Sequence, residues 1–284
     1  MSHHSRELAI TTCEPSTGGN SATSPCAPPA CHPTPVASRH TCVILQPSYI
    51  PWRGYFHQIQ KADTFVFYDD VQYDKHGWRN RNLIKTAQGL LWLTIPVSAK
   101  GAVSQGRLIN QIPIVWDRNW ARQHWETLKA AYSKAPFFQR YSDLLAPFYH
   151  RRDALLADFT IDLTIALARE LGIRGTRFLR SSQLGIPGTK TERLIKILQK
   201  VGATHYVSGP SARDYLDEAA LARASITLEY MDYHYSEYPQ LYEPFARQVS
   251  ILDLLLMLGP AAGEAIWGES VPAEAKSSGY AAAA

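Results

Sequence analysis

Three stretches place hydrogen-bonding, stacking or ionisable side chains directly after short apolar runs. Gln46-Pro47-Ser48-Tyr49-Ile50-Pro51-Trp52-Arg53-Gly54-Tyr55-Phe56 is polar at its start and then aromatic. Gln46, Tyr49, Trp52 and Tyr55 offer amide and ring surface to a small ligand; the alternative is a prolyl corner whose aromatics cap the core. Tyr68-Asp69-Asp70-Val71-Gln72-Tyr73 sets two acids side by side. Adjacent carboxylates on extended chain point in different directions. One of Asp69 and Asp70 can therefore hold a metal, orient a base or accept a sugar hydroxyl while the other organises the loop, and a plain turn signal is the alternative. Ser208-Gly209-Pro210-Ser211-Ala212-Arg213-Asp214-Tyr215 is the third such loop, with Ser208 and Gly209 nearest its apolar run.

Gly185-Ile186-Pro187-Gly188-Thr189-Lys190-Thr191-Glu192-Arg193 carries a different chemistry. Thr189 followed by Glu192 is the pattern of a capping box ahead of the stripe Leu194, Ile197, Leu198 and Val201, and predicts a helix start. Free backbone N–H groups, Lys190 and Arg193 would then attract phosphate or carboxylate, unless the pair is solvated surface charge on a well-capped helix. The spacing is not that of a P-loop, so no NTPase follows. In Trp78-Arg79-Asn80-Arg81-Asn82-Leu83-Ile84-Lys85, alternation sends Arg79 and Arg81 to one face and Asn80 and Asn82 to the other, so one row meets solvent or a ligand. Nucleic acid is disfavoured, because the basic positions form no extended stripe and 29 Lys+Arg against 25 Asp+Glu leave a formal charge of only +4.

The elements that must position these residues follow from periodicity. Thr41 to Gln46 and Thr64 to Tyr68 are buried strands around a helix ending near Asp63, a βαβ unit. Trp78 to Thr86 and Leu90 to Val97 predict a hairpin added to the sheet, and Leu108 to Val115 another strand. The stretch 117–172 is a helical insertion with breaks near Pro136 and Arg151, its aromatics at core spacing. Strands at Arg177 to Arg180, His205 to Ser208 and Ile226 to Tyr230 then alternate with helices at Lys190 to Val201, Asp217 to Ala224 and Ser250 to Leu258. The expected fold is α/β: a Rossmann-like mixed, largely parallel sheet with flanking helices and a helical insertion. In such sheets ligands bind outside the carboxyl ends of the strands, where the loops named above leave it.

The 284 residues suffice for a large core in one domain, expected over 41–270 with a flexible tail over 271–284. Residues 1–40 are Ser/Thr/Pro-rich and poor in large apolar side chains, which predicts a disordered tail. The tail has no secretory pattern and no apolar run reaches bilayer length, so a soluble, cytoplasmic protein without membrane insertion is expected. Cys13, Cys26 and Cys31, with His32, fit no structural zinc spacing, so no metal is expected there, and Cys42 reads as a buried small hydrophobe. Deleting residues 1–38 is expected to leave the melting temperature nearly unchanged in differential scanning fluorimetry; a large drop, or stoichiometric zinc in the full chain, would show the tail to be structural.

The strings VILQPSYIPWRGYF, ADTFVFYDDVQYDKHGWRNRNLIKT, LLWLTIPV, TKTERLIKILQKVGATHYVSGPSARDYLDE and YPQLYEPFARQVSILDLLLMLG, in that order, resemble the WbqC-like proteins over nearly all of Cys42 to Gly259. Leu45 stands where members of that family often carry His before the Gln-Pro pair. The resemblance implies a place in bacterial surface-polysaccharide or related biosynthesis, with partner enzymes of a glycan pathway. The expected function is a transferase acting on a nucleotide-linked sugar or similar phosphate-bearing small molecule. The alternative is a non-catalytic protein that presents such an intermediate to an enzyme. Neither the residues nor the resemblance names a cofactor.

Overall fold

The computed structural model describes residues 38–75, 77–98 and 106–268. The cysteines of the first forty residues, His32 and the stretch 271–284 lie outside the described residues. In chain order the elements are β1 (Thr41–Leu45), α1 (Arg53–Lys61), β2 (Thr64–Phe67), β3 (Arg81–Thr86), β4 (Gly89–Thr94), α2 (Trp120–Tyr132), α3 (Phe138–His150), α4 (Leu156–Glu170), β5 (Arg177–Arg180), α5 (Ser181–Leu184), α6 (Lys190–Lys200), β6 (His205–Ser208), α7 (Glu218–Arg223), β7 (Thr227–Tyr230), α8 (Ile251–Leu258) and α9 (Glu264–Trp267).

The unbroken apolar runs of β1 and β2 suit strands covered on both faces, and both sit inside a five-stranded sheet of order β5-β2-β1-β6-β7. Every pairing in it is parallel. Counted by appearance the order is 3-2-1-4-5, that of a doubly wound, Rossmann-like sheet, with the reversal of winding between β1 and β6. Side chains alternate accordingly. Val43, Phe65, Phe67 and Val207 enter a core shared with Phe56 and Ile59 of α1, Phe159 of α4 and Leu254 of α8. Cys42, Ile44, Val66 and Tyr206 enter a second core with Leu194, Ile197 and Leu198 of α6 and Leu221 of α7. Each fully buried aliphatic or aromatic side chain stabilises this arrangement by roughly 1.5 to 3 kcal/mol.

Two expected elements differ. The β3–β4 hairpin forms as expected, but as a separate two-stranded antiparallel sheet instead of an extension of the main one. Its inner face is claimed elsewhere: Asn82 Nδ2 donates to the carbonyls of Tyr49 and Ile50, and Ser250 N–H donates to Leu83 O. These bonds fasten β3 to the loop after β1 and to the start of α8. The stretch Leu108 to Val115 is not a strand. It forms a 3-10 turn at Ile109–Gln111 flanked by isolated bridges, its backbone partners being divided among Asp69, Val71, Pro96 and Ala154. Pro113, which has no N–H to give to a ladder, sits in the middle.

The helical stretch is three helices, α2 to α4, interrupted on either side of α3 close to Pro136 and Arg151. Buried polar groups lock it to the rest of the fold. Tyr132 and Tyr238 donate their hydroxyls to the two oxygens of Asp253 in α8 at 2.9 and 2.8 Å, and Gln240 Nε2 adds a third bond. Burial raises the Asp253 carboxyl above the usual range against the pull of those donors.

Candidate functional site

A cleft of about 890 Å³ opens at the carboxyl ends of β1, β2 and β6, where the winding of the sheet reverses. Most of its walls come from four segments, the loop after β1, the loop after β2, the start of α6 and the loop after β6, with Gln58, Asn82 and Leu108 completing them. Of the residues expected to bind a ligand, Gln46, Trp52, Tyr55, Asp70, Arg79, Thr189, Lys190, Arg193, Ser208 and Gly209 line it.

The first loop is held rigid from below. Arg79 Nη1 donates to the carbonyls of Gln46 and Pro47 at 3.3 and 3.2 Å and to Ser48 Oγ at 3.0 Å, and Tyr55 donates its hydroxyl to Gln46 O. Asp74 lies 3.7 Å from Arg79 Nε, an ion-pair distance too long for a hydrogen bond. Arg79 thus positions the loop as well as giving the cleft positive charge. Trp52 precedes α1 and packs edge-on against Tyr233 at 4.9 Å between ring centroids. A Cβ on Gly54 would lie 2.3 Å from the Trp52 indole, so glycine is what lets this ring fold over the first turn of the helix. Gly54→Ala is therefore expected to displace Trp52 and weaken cleft ligands by roughly tenfold, a few-kilocalorie clash relieved by moving the ring. Affinity equal to wild type, measured by calorimetry, would mean that Trp52 contributes nothing to binding.

Tyr49 is placed differently. It is completely buried, and its hydroxyl bonds to Tyr149 at 2.8 Å and to His124 Nδ1 at 3.0 Å, tying the loop to α2 and α3 as part of the core. Burial lowers the His124 imidazole to about 4, so it is neutral at physiological pH.

The two acids after β2 have separate fates. Asp69 is fully buried and caps α5 from outside: Ser182 N–H and Ser182 Oγ donate to it at 3.0 and 2.9 Å, and Arg180 Nε at 2.7 Å. Arg180 in turn reaches Asp158 of α4 at 2.6 Å. Asp70 faces the cleft and is the one carboxylate lining it among the described residues. Arg193 Nη2 donates to its Oδ2 and Ser181 Oγ to its Oδ1, each at 2.5 Å. The single Ser181 hydroxyl proton is also within 3.2 Å of Asp69, and the shorter contact assigns it to Asp70.

α6 starts where expected, but the capping box is absent. Thr189 makes no side-chain cap bond; Lys190 follows it at φ 51°, a left-handed turn that takes the threonine out of the usual cap geometry. Exposed Glu192 pairs instead with Lys196, one turn on, at 2.5 Å. Lys190 and Arg193 both line the cleft, yet they are not equivalent. Arg193 is committed to Asp70, to the Ile186 carbonyl at 2.9 Å and to the Tyr68 ring 5.0 Å away. Lys190 has no ion-pair partner among the described residues, which leaves it as the cation open to an anionic ligand.

Four further aromatic side chains line the cleft: Tyr68, Trp78, Tyr206 and Tyr215. Burial raises the phenols of Tyr68 and Tyr206, so they stack and donate as neutral groups instead of acting as anionic bases. No histidine or cysteine lines the cleft among the described residues, and no group of three or more His, Cys, Asp or Glu side chains gathers there as metal ligands.

Asn80 and Arg81 lie elsewhere. They line a second cavity of about 680 Å³ with Tyr73, Lys75, Arg118 and His124, and the Arg81 guanidinium sits 4.5 Å over the Trp92 ring. The expected pairing of Arg79 with Arg81 on one face fails because strand geometry begins only at Arg81, after a turn. Ser181 and Arg180 were not among the expected site residues. Arg180 is the last residue of a short strand and Ser181 follows it at the carboxyl end, where the other loops leave the sheet, and that placement is the signal for them.

The family model of the WbqC-like protein family matches residues 46–265. The chain is 44% identical over 221 residues to the uncharacterized protein Rv1507c of Mycobacterium tuberculosis (strain ATCC 25618 / H37Rv), which covers 77% of this chain and 94% of that protein. No solved structure matches it.

Proposed function

This chain belongs to the WbqC-like protein family, and from that membership together with the cleft we propose that it is a biosynthetic transferase. Its substrate is a nucleotide-linked sugar or similar phosphate-bearing intermediate of bacterial surface-polysaccharide or related metabolism. The observation that carries the reading is the meeting of Lys190, Asp70 and stacked aromatic walls in one cleft at the reversal of the sheet. In this reading Lys190 holds phosphate by a charge-assisted bond, and Trp52 and Tyr68 stack on the ring portion of the ligand. Asp70, oriented by Arg193 and Ser181, takes a proton from the attacking group. Gln46, Ser208 and Gly209 supply neutral polar contacts. The enzyme works in the cytoplasm, where nucleotide sugars are made, and no helix among the described residues is long and apolar enough to cross a membrane.

One observation favours a second reading, a binding protein that presents the intermediate to a partner enzyme of the pathway. Both oxygens of Asp70 already accept hydrogen bonds, an arrangement that suits a fixed recognition element as well as a base. The two readings separate in one experiment. The protein is incubated with nucleotide sugars and candidate acceptors, and the small molecules are followed by mass spectrometry. A transferase yields a time-dependent product mass absent from the Asp70→Asn variant; binding with no mass change across the panel supports the presenting role.

A further inference from the structure

The β3–β4 hairpin carries an apolar surface that its own fold leaves uncovered. Leu90, Leu91 and Trp92 are 50%, 42% and 43% exposed, on a strand that pairs with β3 alone among the described residues. Leu90 and Trp92 are two residues apart and so share one face of the hairpin, roughly 7 Å apart along the strand. Trp78 continues this face: it is 44% exposed, packs on Trp92 at 5.2 Å between ring centroids, and also lines the cleft. One largely apolar path therefore runs from the cleft mouth through Trp78 and Trp92 to Leu90, with the Arg81 guanidinium over one face of the Trp92 ring. At its inner end lies a cleft containing Lys190, which has no ion-pair partner among the described residues. A cationic pocket opening onto an apolar ramp matches an amphiphile with an anionic head.

We propose that the phosphate-bearing substrate of the cleft is a long-chain phosphate ester, its phosphate at Lys190 and its aliphatic chain laid along Trp78, Trp92 and Leu90. This rests on the reading of the cleft as a phosphate site and adds the class of substrate. A chain lying on the ramp loses water contact along its length, and each buried methylene strengthens binding by up to about threefold to fourfold. The cluster is exposed in the absence of ligand because the chain that covers it arrives with the substrate.

The test compares butyl phosphate with dodecyl phosphate, both below micelle-forming concentration, by ligand-observed NMR and calorimetry on the full chain. Dodecyl phosphate is expected to bind roughly tenfold to a hundredfold more tightly than butyl phosphate. Trp92→Ser and Leu90→Ser, at exposed positions outside the cleft, are expected to remove most of that gain and to leave butyl phosphate affinity unchanged. Lys190→Ala should weaken both ligands by the same factor. Equal affinity of the two phosphates for the wild type, or a gain that survives in the Trp92→Ser and Leu90→Ser double variant, overturns the chain proposal while leaving the phosphate reading intact. If neither phosphate nor any nucleotide sugar binds, the reading of the cleft itself fails. Dodecyl maltoside binding as tightly as dodecyl phosphate, pelleting with phosphatidylglycerol vesicles that Trp92→Ser abolishes, or a dimer that Trp92→Ser converts to monomer would each assign the ramp to another occupant and overturn the proposal.

Discussion

Replacing Asp69 by alanine is expected to lower the stability of the fold by about 3 kcal/mol, whereas Asp70→Asn leaves stability within about 1 kcal/mol and lowers turnover a hundredfold or more. The neighbours differ because their surroundings do. Asp69 is fully buried and accepts from Arg180 and from the backbone and hydroxyl of Ser182; its removal strands those donors and breaks the link from β2 through Arg180 to Asp158. Asp70 points into the cleft, and Asn keeps the shape while removing the negative charge: its amide oxygen accepts from Arg193, its Nδ2 donates to Ser181 Oγ, and the Ser181 hydroxyl turns to Asp69. Chemical denaturation and product formation, measured on both variants, give the two axes. Full turnover in Asp70→Asn would transfer the proposal to the non-catalytic reading; full stability in Asp69→Ala would mean that the buried network around α5 contributes little.

The second large effect separates Lys190 from Arg193. Lys190→Ala is expected to weaken a phosphate-bearing ligand by roughly ten- to a hundredfold, through loss of a charge-assisted bond, and to flatten the salt dependence of binding. Arg193→Ala is expected to reduce turnover about as much as Asp70→Asn, because Arg193 holds Asp70, the Ile186 carbonyl and the Tyr68 ring in place. The two changes act on one unit, so the double variant Asp70→Asn with Arg193→Ala should be no worse than either alone. Additive losses would show that Arg193 contacts the ligand directly. Arg193→Lys is not expected to rescue, since an ammonium cannot reproduce the planar donor set that serves Asp70 and Ile186 together.

The parallel sheet and its helices are legible in the sequence because each is a local pattern: short buried strands of four or five residues with apolar centres for β1, β2 and β6, and the 3.6-residue stripe of α6. The rule that ligands meet the carboxyl ends of parallel strands then selects three loops that do line one cleft. What the pattern does not carry is side-chain destination. Asp69 and Asp70 are adjacent and chemically alike, and only the arrival of Arg180, Ser181 and Ser182 from a strand more than a hundred residues later decides which one is buried. Tyr49 sits in a loop of ligand-binding composition, and its burial depends on His124 and Tyr149 from distant helices. Thr189 and Glu192 satisfy the capping-box spacing, yet the left-handed Lys190 and the competing Lys196 leave the box unmade. The detached hairpin has the same cause. Alternation in β3 and β4 fixes a two-stranded ladder, and the choice of what it packs on is made by Asn82 and Ser250.

The rival to the cleft at the sheet reversal is the second cavity, which also carries cations, Lys75, Arg81 and Arg118. A crystal structure of the protein soaked with a nucleoside diphosphate sugar decides between them directly. The account predicts phosphate density in the first cleft with an oxygen about 2.7 to 3.2 Å from Lys190 Nζ and the sugar or base against Trp52. Phosphate density between Lys75, Arg81 and Arg118, with the first cleft empty, would contradict it.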